Sequence, residues 1–256
     1  MSEIHPGSII HPDAHIAPSV SIGPYCQIGK NVTIDEDTIL RSHVVIDGIT
    51  RIGKKCIIYP FSAIGLEPQD TKYKGEKSKV FIGDNNIIRE GVTIHKGTAQ
   101  GHMETRIGNN NFIMACSHIA HDCIVGNGSI FANYVALAGH VELEDCTVLG
   151  AYSGVHQFCH VGKYSFIGAH SPVTKDVVPF SFVSGNRAKC YGINSVGLHR
   201  HNFSQETINI LKLAIRMLCK MDTPVALAKM KESWHSIPEI EYIIDFINKS
   251  TRGLIK

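Results

Sequence analysis

The fold of this protein is decided by one stretch near the middle of the chain, Ser117-His118-Ile119-Ala120-His121-Asp122-Cys123-Ile124-Val125-Gly126. Ile119 and Val125 are two positions of an aliphatic repeat with a period of six residues. The same stretch carries two imidazoles and a carboxylate, which are side chains that transfer protons near neutral pH. It therefore belongs both to the scaffold of the molecule and to a candidate catalytic surface.

The repeat extends in both directions from this stretch. Its positions are Ile10, Ile16, Ile22, Ile28, Ile34, Leu40, Ile46, Ile52, Ile58, Ile64, then Ile82, Ile88, Ile94, then Ile107, Ile113, Ile119, Val125, Phe131, Leu137, Leu143, Leu149, Val155, Val161, Ile167 and Val173. The side chain two residues before each position is usually small. Glycine often follows the position, which indicates a corner that needs relaxed backbone angles.

A period of six fits neither an α-helix nor the simple alternation of long strands. It predicts short parallel strands joined by tight corners, with three six-residue units in each triangular coil and neighbouring coils stacked about 4.8 Å apart. Because no coil can bury its apolar residues alone, stacking supplies the core. The pattern resembles the left-handed parallel β-helix of the hexapeptide-repeat transferases, and the predicted handedness comes from that resemblance.

Two polar segments, residues 66–79 and 95–106, interrupt the repeat. Loops that leave a rigid scaffold often carry function, and insertions at a surface are also tolerated without any. Both interpretations stay open for these two segments. We expect them to be loops of a β-helix that spans residues 1–190.

Beyond the last repeat position the pattern becomes helical. Ser204 is predicted to cap a first helix, and Thr223 is predicted to cap a second helix with Pro224 in its first turn. A third helix is expected after Pro238. The sequence therefore predicts a mostly β protein with a C-terminal α-helical domain over residues 191–256.

Composition argues against several classes of function. The formal charge at pH 7 is +2, and no basic stripe interleaved with aromatic residues is present, which argues against nucleic acid as the main partner. No run approaches the roughly 20 apolar residues of a membrane span, and the first residues lack the pattern of a signal peptide. The 8 cysteines include no Cys-x-x-Cys pair, which indicates reduced thiols in a cytosolic protein.

The period also predicts which distant residues become neighbours. Ile119, Leu137 and Val155 follow one another at 18-residue steps, so they should form one column on three consecutive coils. Polar side chains beside this column should then gather within about 10–15 Å at one edge of the prism. A lone histidine among the 15 would be assigned to the surface, whereas four beside one edge indicate a site. The residues at this edge are His118, His121, Gly139, His140, His156 and Gln157.

Three chemistries remain open for this edge. In the first, His121 accepts a proton from a sugar hydroxyl, Asp122 fixes its tautomer, and the backbone N–H of Gly139 receives an oxyanion. In the second, His118, His121 and His140 bind zinc, as imidazoles do in a β-helix hydratase of the carbonic anhydrase type, although the spacing differs from the one expected there. In the third, the prism catalyses nothing and is a binding or scaffolding module.

Seven stretches carry a more specific resemblance. They are Arg41-Ser42-His43-Val44-Val45, Gln69-Asp70-x-Lys72-Tyr73-x-Gly75, Val92-Thr93-Ile94-His95-Lys96-Gly97-Thr98, His118-Ile119-Ala120-His121-Asp122-Cys123, Leu137-Ala138-Gly139-His140-Val141, Val155-His156-Gln157-Phe158 and Ser250-Thr251-Arg252-Gly253-Leu254-Ile255-Lys256. Together they resemble the UDP-N-acetylglucosamine O-acyltransferases of lipid A biosynthesis over essentially the whole chain. The six-residue repeat alone is typical of a superfamily, whereas these stretches are specific to this family.

The resemblance implies an acyltransferase. It would move an (R)-3-hydroxyacyl group from the phosphopantetheine arm of acyl carrier protein to the glucosamine 3-hydroxyl of UDP-N-acetylglucosamine, the first step of lipid A biosynthesis. A 3-amine on the acceptor is the alternative, and we favour the hydroxyl. The resemblance further implies a cytoplasmic homotrimer with each active site in a cleft between neighbouring prisms, with no metal and no other cofactor.

Roles of individual residues follow from the same resemblance. His121 matches the catalytic base, Asp122 its partner and Gly139 the oxyanion donor. The residues that match substrate contacts are Asp70 and Lys72 in the first loop, His118, His140, His156 and Gln157 around the sugar and thioester, and Asn194 and Arg200 toward the nucleotide.

Four positions depart from the family pattern. Val196 stands where a glutamate meets the nucleotide, and His201 replaces an arginine. Ala169 and Arg187 stand near the end of the acyl channel, where a glycine and a histidine are familiar. Because a small change at a channel floor limits the longest acyl chain that fits, we expect these two positions to set the acyl chain length.

Overall fold

The structure is a computed structural model that describes residues 3–256, so the predicted start of the β-helix at residue 1 lies outside it. Short strands follow one another along most of the chain. Before the first loop they are β1 (Glu3–Ile4), β2 (Ile9–Ile10), β3 (His15–Ile16), β4 (Ser21–Ile22), β5 (Gln27–Ile28), β6 (Val32–Ile34), β7 (Ile39–Leu40), β8 (Val45–Ile46), β9 (Ile49–Ile52), β10 (Ile57–Ile58) and β11 (Ala63–Leu66). Between the loops they are β12 (Lys79–Ile82), β13 (Ile87–Ile88) and β14 (Thr93–His95). After the second loop they are β15 (Glu104–Ile107), β16 (Phe112–Ile113), β17 (His118–Ile119), β18 (Ile124–Val125), β19 (Ile130–Phe131), β20 (Ala136–Leu137), β21 (Glu142–Leu143), β22 (Val148–Leu149), β23 (Gly154–Val155), β24 (His160–Val161), β25 (Phe166–Ile167), β26 (Pro172–Val173), β27 (Ser181–Ser184) and β28 (Lys189–Ile193).

Strands β1 to β27 pair in parallel with strands one coil away, which makes three sheets. Ile119 is in register with Leu137, and Leu137 with Val155, so the predicted column is present. Sheet A has the order β1-β4-β7-β10-β13-β16-β19-β22-β25-β27-β28, sheet B the order β2-β5-β8-β11-β14-β17-β20-β23-β26, and sheet C the order β24-β21-β18-β15-β12-β9-β6-β3. The predicted left-handed parallel β-helix is confirmed.

The aliphatic repeat forms the core because successive side chains of a strand point to opposite faces. Ile119 and Leu137 are fully buried, and Val155 is 1% exposed. The small residues two positions earlier, such as Ser117 and Cys123, are buried in the corners of the coils. Each coil is covered by its neighbours, so the prism is rigid and holds its outward side chains at fixed spacing.

The outward side chains differ strongly between sheets. Sheet C presents charged residues such as Arg51, Arg106 and Glu142. Sheet A instead presents one apolar column along most of the prism. Its members are Ile39, Ile57, Ile87, Phe112, Ile130, Val148, Phe166 and Phe182. A continuous apolar column on the outside of one chain is typical of a surface that another protein covers.

The two interruptions are loops, and their ends differ slightly from the prediction. The first occupies residues 67–78, because Leu66 still belongs to β11 and pairs with His95 across a bulge. The second occupies residues 96–103, because β15 already begins at Glu104 and pairs with β12. Backbone pairing with the neighbouring coil therefore extends the strands into both predicted loops.

The chain leaves the prism through an antiparallel hairpin of β27 and β28, which the repeat did not predict. Four helices follow, α1 (Ser195–Arg200), α2 (Gln205–Lys220), α3 (Thr223–Trp234) and α4 (Pro238–Lys249). Ser204 caps α2 as predicted, since its side chain accepts from the Thr207 N–H at 3.0 Å. The predicted cap at Thr223 is wrong: Asp222 is the N-cap of α3, so Thr223 is already helical. The short helix α1 was not predicted, because its six residues are too few to show a period.

Asp176 joins the helical domain to the prism. This residue is 2% exposed and accepts hydrogen bonds from the His160 N–H at 2.8 Å and the Ser250 hydroxyl at 2.6 Å. Its backbone also pairs with the C-terminal segment at Gly253 and Ile255. No helix of the described residues is long and apolar enough to cross a membrane.

Candidate active site

The register of sheet B brings the predicted histidines together. The rings of His121 and His140 meet edge to face with centroids 5.0 Å apart, although 19 positions separate them in sequence. The ring of His140 in turn stacks on Phe158 at 4.4 Å. These side chains surround the edge of the prism between sheets B and C, as the 18-residue step predicts.

His121 and Asp122 form a dyad at this edge. The His121 Nδ1 lies 2.9 Å from the Asp122 Oδ2, and the carboxylate is fully buried while the imidazole is 13% exposed. A carboxylate accepts only, so Nδ1 carries the proton that faces Asp122, and Nε2 is the nitrogen that can exchange a proton with a substrate. The dyad therefore fixes the orientation and the tautomer of the His121 imidazole.

The second loop supplies the other donors to Asp122. The Thr98 N–H lies 3.0 Å from each carboxylate oxygen, the Thr98 hydroxyl donates at 2.6 Å, and the His102 N–H donates at 2.9 Å. Burial alone would raise the pKa of Asp122, but the hydrogen bonds from His121 and Thr98 hold that pKa below its ordinary value. Asp122 is thus a fixed and ionised carboxylate. Thr98 and His102 were not predicted as site residues, although both lie in the second interruption and Thr98 ends one of the seven stretches that carry the resemblance.

Gly139 lies against the imidazole of His121. A Cβ at this position would be 2.5 Å from the His121 Cε1 and 2.6 Å from its Nε2, so only glycine fits without moving the ring. The backbone N–H of Gly139 has no acceptor within residues 3–256. It is therefore available as a donor beside the atom that would accept a proton.

A cleft of about 550 Å³ opens over these groups on sheet B. Its floor is the outward column Ala136, Gly154 and Pro172, whose small side chains leave room above the sheet. The predicted site residues that line it are His118, His121, Gly139, His156 and Gln157. Gln69 of the first loop also lines it and was missed as a site residue.

Most imidazoles around the cleft are held neutral. Burial lowers the pKa of His118, and burial also lowers the pKa of His140 in spite of the nearby Asp122. His118 bonds through Nδ1 to the Thr93 hydroxyl at 2.7 Å and meets His95 edge to face at 4.9 Å. Burial lowers the pKa of His95 to about 4. Neutral rings of this kind suit hydrogen bonding to hydroxyls and carbonyls rather than charge pairing with phosphate.

The three imidazoles of the zinc hypothesis do not converge. His118 turns to Thr93, and the group that could hold a cation is instead His121, Asp122 and His140, whose ligand atoms lie within 4.8 Å of one another. The oxygens of Asp122 already accept from Thr98, His102 and His121. This donor set leaves the carboxylate poorly suited to ligate zinc.

The predicted nucleotide contacts lie elsewhere on the chain. Asn194 and Arg200 line a separate pocket of about 390 Å³ over the apolar column of sheet A, with Val196 beside them. Asn194 also caps α1, accepting from the Gly197 N–H at 3.1 Å. His201 packs edge to face on Tyr164 at 5.0 Å. One chain therefore does not bring these residues to the histidine cleft.

The remaining predicted residues flank the cleft. Asp70 lies near enough to His140 to act on its pKa, and its carboxylate accepts from the Lys72 N–H at 2.9 Å. The side chain of Lys72 is exposed. Ala169 and Arg187 are exposed near the last strand of sheet B and do not line the cleft within one chain.

Replacing Gly139 with alanine is expected to lower kcat by about tenfold to a hundredfold, because the new methyl group displaces the His121 ring from its reacting position. Steady-state kinetics and a thermal unfolding midpoint measured on the same sample test this. A Gly139→Ala enzyme with unchanged kcat would show that catalysis does not depend on the present position of the His121 ring.

A β-helix of six-residue units with a histidine–aspartate dyad on its edge is the architecture of a hexapeptide-repeat transferase. Sequence profiles agree: one described as bacterial transferase hexapeptide matches residues 1–35 and 104–139, and one described as UDP-N-acetylglucosamine O-acyltransferase, domain 2, matches residues 176–255. The acyl-[acyl-carrier-protein]–UDP-N-acetylglucosamine O-acyltransferase of Thermodesulfovibrio yellowstonii is 52% identical, with 100% of each chain covered.

Solved structures give the same result. The UDP-N-acetylglucosamine O-acyltransferase (LpxA) of Moraxella catarrhalis superposes with a TM-score of 0.96 at 45% identity, covering 99% of both chains. The UDP-N-acetylglucosamine acyltransferase of Arabidopsis superposes with a TM-score of 0.86 at 35% identity, covering 99% of this chain and 100% of that one. The chain belongs to the UDP-N-acetylglucosamine O-acyltransferase family.

Proposed function

We propose that this protein transfers an (R)-3-hydroxyacyl group from acyl carrier protein to the glucosamine 3-hydroxyl of UDP-N-acetylglucosamine, with His121 as general base. Family membership supports the acyl transfer and both substrates. The observation that carries the mechanism is the dyad of His121 and Asp122 against Gly139, in a cleft large enough for a sugar.

Each atom of the dyad has a part in the reaction. The Nε2 of His121 takes the proton of the sugar hydroxyl as its oxygen attacks the thioester carbonyl. The Gly139 N–H donates to the oxyanion of the tetrahedral intermediate. The intermediate collapses with cleavage of the carbon–sulfur bond, and the imidazolium returns its proton to the departing phosphopantetheine thiolate. Asp122 stabilises the imidazolium throughout, because an ionised and buried carboxylate lies 2.9 Å from Nδ1.

The polar side chains around the dyad are suited to hold the substrates. His118, His140, His156 and Gln157 offer donors and acceptors for sugar hydroxyls and the acetamido and thioester groups. Asp70 and Lys72 would contact the substrate from the first loop. The small floor of Ala136, Gly154 and Pro172 leaves a path for an acyl chain, and Ala169 and Arg187 near its end would limit the chain length.

The active site is shared between copies in a homotrimer under this proposal. The histidine cleft lies on sheet B, whereas Asn194 and Arg200 border sheet A of the same chain. The apolar column of sheet A requires a cover, and a second copy of the chain would provide it. Arg200 of one copy would then bind the diphosphate of a nucleotide whose sugar lies beside His121 of the next.

The reaction is proposed to need no metal and no other cofactor, because the carboxylate of Asp122 is already bound by its four donors. We further propose that the enzyme works in the cytoplasm. The 8 cysteines, all free thiols, support a reducing compartment.

Product mass spectrometry tests the proposal. The purified protein is incubated with UDP-N-acetylglucosamine and a panel of hydroxyacyl carrier proteins that differ in chain length. An ester at the glucosamine 3-oxygen, formed with one preferred chain length and unchanged after dialysis against EDTA, is the expected result. Amide formation with the 3-amino acceptor only, or loss of turnover after chelation that added zinc restores, would contradict it.

A further inference from the structure

We propose that the second loop, residues 96–103, is a clamp for the catalytic carboxylate and that Thr98 is a positioning residue for the reaction. This inference rests on the proposed function of His121 and Asp122. It assigns a role to this loop, which from the sequence alone could be either a functional segment or a tolerated insertion.

Comparison of equivalent corners shows what the loop does. Asp122, His140 and Phe158 occupy the same corner on successive coils and share a left-handed backbone, with φ of 59°, 62° and 62°. Phe158 is 51% exposed, as a corner side chain of a prism is expected to be, whereas Asp122 is fully buried. The difference is the second loop, which leaves the coil below and covers the corner of Asp122.

The contacts are specific to a carboxylate. Thr98 donates through its N–H and its hydroxyl, and the His102 N–H reaches Oδ1, so both oxygens are bound from the loop side. From the prism side, the backbone N–H of Asp122 donates to the Thr105 hydroxyl at 2.9 Å. Charge-assisted hydrogen bonds from several directions fix both the position and the ionised state of the group.

The backbone of the second loop also lies close against the carboxylate of Asp122. A Cβ added to Gly101 would overlap the carboxylate of Asp122, so the loop approaches the carboxylate more closely than any side chain would allow. The loop closes on itself at Thr98, whose carbonyl accepts from the Gly101 N–H at 3.2 Å and the Met103 N–H at 3.3 Å. Thr98 therefore connects the two: its carbonyl closes the turn of the loop, and its N–H and hydroxyl bind the carboxylate of Asp122.

Thr98→Val separates this role from folding. Valine keeps the shape and the backbone N–H but removes the hydroxyl donor. We expect kcat to fall by about tenfold to a hundredfold with KM for UDP-N-acetylglucosamine unchanged, since Thr98 acts through Asp122 and does not touch the sugar. Thr98→Ser keeps the hydroxyl and should restore kcat to within about twofold of the native value.

Two further variants complete the test. In an Asp122→Asn background Thr98→Val should cause no additional loss, because the two changes act on one interaction. Gln100→Ala removes an exposed side chain of the same loop and should leave kcat unchanged. Gly101→Ala removes no donor but presses on the carboxylate, so it should lower kcat as Thr98→Val does.

Several outcomes would overturn the inference. They are a Thr98→Val enzyme with kcat within twofold of native, a Thr98→Ser enzyme as impaired as the valine variant, or losses that add in the Asp122→Asn background. Asp122→Asn with near-native activity would instead contradict the role of the dyad, and a native enzyme that forms no acylated product would contradict the proposed function, so these failures are distinguishable from a failure of the inference.

Discussion

His121→Ala should lower kcat by about a thousandfold while the protein keeps its fold and its affinity for UDP-N-acetylglucosamine. The imidazole is the group whose Nε2 can take the proton of the sugar hydroxyl, and without it the hydroxyl must attack while still protonated. The ring is at the surface of a rigid prism whose core does not include it, so removing it costs the fold little. Steady-state kinetics at saturating concentrations of both substrates and a thermal melt measure both halves of this expectation.

The matched control for that variant is His15→Ala, which removes an exposed histidine from sheet C, outside the cleft. It should leave kcat and the melting midpoint unchanged. A His121→Ala enzyme that turns over at a rate near that of the control would show that another group accepts the proton.

Arg200→Ala should raise KM for UDP-N-acetylglucosamine and reduce kcat/KM by about a hundredfold, because a guanidinium that binds a diphosphate through paired hydrogen bonds is lost. The change in kcat at saturating nucleotide sugar should be small, since Arg200 lies far from the reacting atoms in the proposed arrangement. Isothermal titration with the nucleotide sugar and steady-state kinetics measure the two effects separately.

Arg51→Ala is the control, because Arg51 pairs with Asp35 at 3.0 Å on sheet C, away from both pockets. An Arg200→Ala enzyme with unchanged KM would contradict the assignment of the nucleotide to the pocket over sheet A.

Much of this molecule follows from its sequence because a period is a strong constraint. Once Ile119, Leu137 and Val155 are placed in one column, the approach of His121 to His140 follows without further information. The same holds for Ser204, whose side chain and position are sufficient to predict a helix cap.

Other features depend on contacts that a local pattern does not contain. The burial of Asp122 comes from a loop that leaves the preceding coil. No sequence motif beside the dyad therefore indicates that Thr98 and His102 contact the carboxylate. Asp222 occupies the N-cap position that was predicted for Thr223, although the Asp222 side chain makes no capping hydrogen bond. The separation of Arg200 from His121 likewise could not be predicted from a local sequence pattern, because it depends on which sheet each residue borders.

Co-expression of two impaired chains, assayed at a UDP-N-acetylglucosamine concentration well below KM, where each variant alone is nearly inactive, tests most directly whether the active site is shared between copies. One chain carries His121→Ala and the other Arg200→Ala, and the two are produced in equal amounts and purified together. If each site combines His121 of one copy with Arg200 of the next, random assembly leaves about a quarter of the sites intact, and about a quarter of native activity should return. Activity no higher than that of the two variants assayed separately would place both residues in a site formed by one chain, and would contradict this account.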